Sequence, residues 1–142
     1  MVPATALLDT SVLLRLFHDE ADRDQPAVDA LRAEWAAGEI DLLVLDLSVY
    51  ELVSVLVRRL GFEAQPAQAV VDALFEMELP LVGVDRGLAR ETVRVAADTG
   101  LSGYDAAFVA AARDVGVPLL TADRRIVEKA PTVARPLRSI IE

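Results

Sequence analysis

Short apolar runs alternate with longer stretches of helical periodicity along this chain. The apolar runs predict buried strands at 4–8, 42–45, 81–84 and 118–120, and a weaker pattern predicts another at 133–137. Val49, Leu52, Val53, Leu56, Val57 and Leu60 repeat at the spacing of one helical face, and further helices are predicted at 66–77, 87–99 and 102–115. Alternating strands and helices indicate an α/β fold, with a parallel sheet between two layers of helices. No repeat, linker or low-complexity segment interrupts residues 1–142, so we expect a single domain.

Acidic side chains follow nearly every predicted strand. Asp9, Asp46, Asp85 and Asp123 come after the first four strands in turn. Glu51 and Asp105 are expected in the first turns of helices. In open α/β sheets ligands bind beyond the carboxyl ends of the strands. These acids are therefore the candidates for a functional site.

Helix capping is the alternative interpretation of the same acids. Aspartate and serine are favoured N-caps, and an acidic residue in the first turn complements the helix dipole. Ser48 and Glu51 have the spacing of a capping box, and Ser102 and Asp105 form a looser one. We assign Asp85 to capping. For Asp46, a cap and a supporting role at the site both stay open.

Electrostatics favours a functional role for the set as a whole. Two carboxylates ~4 Å apart repel each other by about 4 kcal/mol at an effective dielectric constant of 20, a cost that serine or threonine caps would avoid. A cluster of carboxylates is relieved by taking up protons or by binding a hard divalent cation. Mg²⁺ and Mn²⁺ favour such all-oxygen sites.

Composition removes many other kinds of chemistry. The chain has no cysteine, one histidine and one lysine, which excludes disulfides, thiolate metal sites and multi-histidine zinc sites. Its formal net charge is −9, so a polyanionic substrate needs a bound cation or a few placed arginines. The apolar runs are far shorter than the about 20 residues of a membrane span. With no targeting segment visible, we expect no membrane association and a cytoplasmic location.

Four motifs in chain order resemble those of the PIN-domain nucleases. They are LDTSVL at 8–13, YEL at 50–52, LSGYDA at 101–106 and LTADRR at 120–125. The length and the order Asp, Glu, Asp, Asp are similar to the VapC-type toxins of toxin–antitoxin pairs, and the resemblance spans nearly the whole chain. It implies a three-layer PIN-like domain with a five-stranded parallel sheet.

The resemblance also implies an activity, that of a Mg²⁺- or Mn²⁺-dependent ribonuclease. Asp9, Glu51, Asp105 and Asp123 would be the catalytic acidic quartet, with Asp9 and Asp105 as the main metal ligands. Thr10, Ser11 and Thr121 resemble the hydroxyl positions that support it. The metal would activate a water that cleaves RNA phosphodiesters, leaving 5′-phosphate and 3′-hydroxyl ends. Arg15, Arg124 and Arg125 flank the predicted site, where they could hold RNA phosphates or be ordinary solvated surface residues.

Partners follow partly from the resemblance and partly from the apolar surface. The resemblance implies a cognate antitoxin that covers the site. The helical pair at 48–77 is apolar on more than one side, which is consistent with a homodimer.

Two other functions remain as alternatives. One is a non-catalytic PIN-like module that binds protein and uses its acids as caps. The other, less favoured, is a phosphatase with Asp9 as the nucleophile. Its D-x-D-x-T pattern has Ser11 in place of the second aspartate, and no lysine stands at a plausible position.

Overall fold

A five-stranded parallel sheet forms the middle layer of the computed structural model, which describes residues 2–142. Its strands are β1 (Thr5–Leu8), β2 (Asp41–Leu45), β3 (Leu81–Val82), β4 (Leu119–Thr121) and β5 (Ala134–Pro136). They lie in the order β3-β2-β1-β4-β5. The predicted parallel α/β architecture is confirmed, and all five strands fall on the predicted apolar runs. β3 ends two residues before the predicted boundary.

Within residues 2–142, seven α-helices connect the strands and cover both faces of the sheet. They are α1 (Thr10–Arg15), α2 (Gln25–Ala36), α3 (Leu47–Ser54), α4 (Ala64–Glu76), α5 (Arg86–Thr99), α6 (Gly103–Val115) and α7 (Arg124–Lys129). A π-helical turn, Val55–Arg59, extends α3, and a 3₁₀ turn, Leu137–Ile141, follows β5. Gly100 and Gly116 end α5 and α6 with φ of 74° and 81°, a conformation that disfavours side chains with a Cβ. Within residues 2–142, none of these helices is both long enough and apolar enough to cross a membrane.

The two faces of the sheet bury separate apolar cores, because successive side chains of a strand point to opposite faces. Ala6 and Leu8 of β1 belong to the core that packs against α1 to α4. Leu7 belongs to the other core, which α5 and α6 cover. The small residues Ala106, Ala110 and Ala111 let α6 pack closely on the sheet, and all three are fully buried.

Strand register determines which residues stand side by side at the carboxyl edge. Leu8 is level with Val44 of β2 and with Leu120 of β4. Asp9, the residue after β1, therefore stands beside Thr121, and its amide donates to the Leu120 carbonyl at 2.9 Å. Along β2 the matching residue is Leu45, and Asp46 lies one residue further out.

Candidate active site

Asp9 is a buried carboxylate at the carboxyl end of the central strand. Only 6% of its surface is exposed. Its Oδ1 accepts from the Thr10 amide at 2.8 Å, and its Oδ2 accepts from the Ser11 hydroxyl at 2.8 Å and the Thr121 hydroxyl at 2.7 Å. Asp9 occupies the N-cap position of α1, so the capping and site interpretations describe the same residue.

Ser11 and Thr121 also tie Asp9 to the turn that follows β4. The Ser11 Oγ accepts from the Ala122 amide at 3.0 Å, and the Thr121 Oγ1 accepts from the Asp123 amide at 2.9 Å. Each hydroxyl has one proton, which it gives to Asp9, so its lone pairs are available to these amides. The three predicted hydroxyl residues thus all make hydrogen bonds at this edge of the sheet.

Thr10 joins Asp9 to Glu51 of α3. Its hydroxyl donates to Glu51 Oε1 at 2.6 Å and lies 2.9 Å from the hydroxyl of Ser48. Because Thr10 gives its one proton to Glu51, Ser48 must be the donor in the second contact. Sequence reasoning missed this role of Ser48, which is fully buried.

The predicted capping box at Ser48 and Glu51 is wrong. Helix α3 begins at Leu47 with Asp46 at the N-cap, so Glu51 is the fifth helical residue and lies beyond the first turn. The Ser48 hydroxyl faces Thr10 rather than a free amide of its own helix. The YEL motif therefore marks a contact between helices and not a helix end.

Asp105 and Asp123 approach the site from α6 and from the turn before α7. Asp105 is the third residue of α6, and its amide donates to the Ser102 hydroxyl at 3.1 Å, as the Ser102 cap predicts. Asp123 caps α7, with Oδ1 accepting from the Arg125 amide at 2.9 Å. Both side chains are half-buried.

Electrostatic coupling connects these carboxylates. Burial raises the pKa of Asp9 above its ordinary value, and the charge of Asp105 adds to this rise while the three hydrogen bonds oppose it. Burial likewise raises the pKa of Glu51, with further increases from Asp9 and Asp105. For Asp105, burial and then the charge of Asp123 raise the pKa, and Arg125 lowers it. Each of these three groups is therefore harder to ionise than a solvated carboxyl.

The carboxylates are close enough to repel each other, yet they do not converge on one point. Within residues 2–142, no three His, Cys, Asp or Glu side chains form a group that could hold a metal ion. The side chains of Asp9, Glu51 and Asp123 each accept a hydrogen bond from another group of the protein. The metal-binding quartet stays a prediction.

An open cavity of about 490 Å³ lies over Asp9, Glu51 and Asp123, whereas Asp105 is not among the residues that line it. Its acidic lining is Asp9, Glu20, Glu51 and Asp123. Two arginines also line it, and both are engaged: Arg15 pairs with Asp22 at 2.7 Å, and Arg59 pairs with Glu20 at 2.5 Å. Glu20 and Arg59 carry no motif that marks them in the sequence. We call this space the acidic cavity.

The three predicted phosphate-contacting arginines have different surroundings. Arg15 also donates to the Ser11 carbonyl at 2.7 Å, and only 14% of its side chain is exposed. Arg124 is exposed, with an ion pair to Glu128 at 3.5 Å. Arg125 donates to the Gly100 carbonyl at 3.3 Å and is close enough to lower the pKa of Asp105. Arg15 is thus held by its own protein, while Arg124 and Arg125 lie at the surface.

Asp85 and Asp46 lie outside the acidic cavity. Asp85 caps α5 through a bond from the Leu88 amide to Oδ1 at 2.8 Å, which confirms its assignment to capping. Asp46 is exposed and occupies the N-cap position of α3, but its side chain makes no capping hydrogen bond. Asp46 therefore occupies a cap position without making the capping hydrogen bond.

Sequence comparison matches most of the chain to a known family. Residues 6–131 match the model of the PIN domain. The chain is 31% identical over 134 residues to ribonuclease VapC3 of Pyrobaculum aerophilum, a match that covers 92% of this chain and 98% of that protein.

Solved structures with the same fold include two complexes. A toxin–antitoxin complex from Klebsiella pneumoniae contains a chain with a TM-score of 0.64 and 17% identity, over 93% of this chain and 97% of that one. DNA-bound VapBC from Salmonella typhimurium gives a TM-score of 0.69 and 15% identity, over 95% and 99%. At these identities the likeness establishes the fold.

Proposed function

This chain belongs to the PIN domain family, and on that premise we propose that it is a divalent-metal-dependent ribonuclease, the toxin of a toxin–antitoxin pair. The observation that carries the proposal is the buried Asp9, whose hydrogen-bond shell and electrostatic field link it to Glu51, Asp105 and the Asp123 turn. The relative at 31% identity, which matches 92% of this chain and 98% of its own length, is a ribonuclease.

By ligand type, the four carboxylates suit a hard divalent cation such as Mg²⁺ or Mn²⁺, although within residues 2–142 they do not form a group that holds one. All four predicted ligands are carboxylates, and no arginine or lysine forms a salt bridge with any of them within the described residues 2–142. Burial is the first cause of the raised pKa values of Asp9, Glu51 and Asp105, and a bound cation would favour their ionised forms. Asp9 and Asp105 would be the main ligands, with Asp123 and Glu51 completing the site.

The side chains of the protein prepare the site for a phosphodiester. Ser11 and Thr121 hold Asp9 Oδ2 in place, and the chain of hydroxyls from Ser48 through Thr10 fixes Glu51. When bound, the cation would lower the pKa of a water molecule and offset the charge of the departing oxygen. Arg124 and Arg125 lie beside Asp123, where they would hold phosphates of the same RNA.

The proposed partner is an antitoxin protein. Chains with this fold occur in a toxin–antitoxin complex and in VapBC. The exposed apolar side chains of α3 and its π-helical extension, Tyr50, Val53 and Val57, are consistent with the proposed homodimer.

Calorimetric titration of Mn²⁺ and Mg²⁺ into Asp105→Asn and Asp85→Asn tests the proposal. Both substitutions remove one negative charge, and asparagine at 85 retains a capping side chain. We expect saturable binding by the wild type and by Asp85→Asn, with a matching rise in thermal stability. Asp105→Asn should bind weakly and should cleave RNA much more slowly, as measured with a fluorescent RNA pool.

Equal metal binding and equal cleavage by all three proteins would contradict the proposal and favour the non-catalytic protein-binding module. The phosphatase alternative requires Asp9 to attack a phosphate. Both oxygens of Asp9 accept hydrogen bonds and the residue is buried, which does not favour a nucleophile. A covalent phosphate recovered on Asp9 would support the phosphatase.

A further inference from the structure

A second cavity lies at the carboxyl edge of the sheet and shares Asp123 with the acidic cavity. Its volume is about 240 Å³, and its walls are the turn before α2, the β4–α7 turn and the 3₁₀ turn after β5. Three arginines line it, Arg23, Arg124 and Arg138. We call it the arginine cavity. Asp123 lines both cavities, so they adjoin.

Two of these arginines are available to a ligand. Arg23 and Arg138 are exposed, and within the described residues 2–142 neither makes a hydrogen bond or a salt bridge. By contrast, the two arginines of the acidic cavity, Arg15 and Arg59, each form an ion pair with a carboxylate of the same protein. The two adjoining cavities thus differ in what they offer to an anion.

The lining charges make the arginine cavity suited to a phosphate in a longer chain rather than to a free anion. Asp24, Asp123 and Glu128 balance the three arginines, so the cavity has no excess charge to concentrate a small ion. The guanidinium fork nevertheless matches the oxygens of a phosphodiester. A cavity of this size is smaller than the about 300–1,000 Å³ of sites for whole drug-sized ligands. It therefore fits a fragment of a chain that is anchored elsewhere.

We propose that the arginine cavity binds the RNA segment next to the cleaved bond, with Arg23 and Arg138 contacting its phosphates. The inference rests on the proposed ribonuclease function, which places the cleaved phosphate at the acidic cavity. Because the cavities share Asp123, a strand that lies over one continues into the other. Arg23 and Arg138 belong to no family motif in the sequence, and the turn before α2 and the 3₁₀ turn bring them to one cavity only in the folded chain.

The test is the salt dependence of RNA binding by the double variant Arg23→Ala/Arg138→Ala. The probe is a fluorescein-labelled, random-sequence single-stranded RNA, followed by anisotropy at fixed Mg²⁺ and increasing KCl. An Asp105→Asn background slows cleavage. Each lost phosphate contact lowers the slope of log K against log salt by about 0.7 for single strands. For the double variant we expect the slope to become less steep by about 1.4. The affinity for RNA should fall about tenfold at low salt.

Arg113 and Arg135 supply the matched control. They line a cavity at the opposite, amino edge of the sheet, with Pro3 and Pro118. The double variant Arg113→Ala/Arg135→Ala makes the same change in net charge far from the carboxylates. Its slope should equal that of the parent protein. Arg23→Lys/Arg138→Lys should restore the slope but only part of the affinity, because lysine keeps the charge and loses the fork.

Two outcomes overturn the inference: equal slopes for the two double alanine variants, or no measurable RNA binding by the parent. Cleavage of the same RNA is measured for the Asp105→Asn protein and for the unmodified protein. This measurement tests the proposed ribonuclease function separately from the arginine cavity. If the unmodified protein cleaves RNA and the slopes are equal, the ribonuclease stands and the arginine cavity does not. If slopes differ without any cleavage, the phosphate site stands and the ribonuclease proposal fails.

Discussion

Two groups of aspartates follow strands in this molecule, and they differ in what surrounds them. Asp9 and Asp123 follow the adjacent strands β1 and β4, and a shared hydroxyl, that of Thr121, connects them. Asp46 and Asp85 follow β2 and β3, on the other side of the sheet centre, and neither lines the acidic cavity. All four aspartates stand at N-cap positions, so what distinguishes Asp9 and Asp123 is the hydroxyl that they share and the acidic cavity that they line.

The register of the sheet explains the difference. Thr121 is the residue level with Asp9, and its hydroxyl both donates to Asp9 and accepts from the amide of Asp123, two residues later. On β2 the residue level with Asp9 is Leu45, which is buried in the core under α5 and α6. Asp46 follows it and is exposed. A one-residue offset therefore separates a site residue from a surface residue.

The largest expected effect is the difference in RNA cleavage between Asp9→Asn and Asp46→Asn. Asp9→Asn should lower RNA cleavage by more than about 100-fold, because it removes a proposed ligand rather than a supporting group, whose loss costs about 10–100-fold. Asp46→Asn makes the same change of charge and should leave cleavage unchanged. Single-turnover cleavage of a labelled RNA pool measures both. Comparable losses in the two variants would refute the division into two groups.

A smaller effect is expected from Thr121→Val. The substitution keeps the shape of a fully buried side chain and removes the hydroxyl that bonds Asp9 and the Asp123 amide. Cleavage and Mn²⁺ affinity should fall about 10–100-fold. Thr92→Val is the control, since the Thr92 hydroxyl donates to the Leu88 carbonyl within α5. Unchanged metal affinity in Thr121→Val would show that this hydroxyl does not support the site.

Asp85→Ala tests a helix cap that lies outside the acidic cavity. The loss of the bond from the Leu88 amide should reduce the free energy of unfolding by about 1 kcal/mol. Chemical denaturation measures this loss. Asp85→Asn should recover most of it, and RNA cleavage should be unaffected in both. A loss of cleavage in the folded Asp85→Ala protein would place Asp85 in the functional group.

The smallest effect concerns pH. Because the pKa of Asp105 is raised by folding, the folded state holds a proton that the unfolded state releases once the pH exceeds about 3.8. The stability contributed by this group is therefore lost as pH rises towards the raised pKa. In EDTA, the Tm of the wild type should therefore fall relative to that of Asp105→Asn as the pH rises from acid to neutral. A constant difference in Tm would contradict the coupling.

Predictions from local pattern agreed best with the structure. The five strands, α5, α6 and the Ser102 cap lie where periodicity and cap residues predict them, because these features depend on neighbouring residues. The predicted capping box at Ser48 was wrong because a distant residue determines the contact of this side chain. Its spacing is local, but the Ser48 hydroxyl is taken up by Thr10, which is 38 residues away in sequence.

By itself, the sequence determined the alternation of strands and helices, the acidic residues after the strands and the family resemblance. Only the tertiary structure decided that Asp9 and Asp123 share a hydroxyl, that Arg15 is held by Asp22 and that Arg23 meets Arg138 at one cavity. The physical reason is range. Hydrophobic periodicity and capping act within one or two helical turns. Strand order and register bring together residues more than a hundred positions apart, such as Asp9 and Thr121, and no local pattern encodes that pairing.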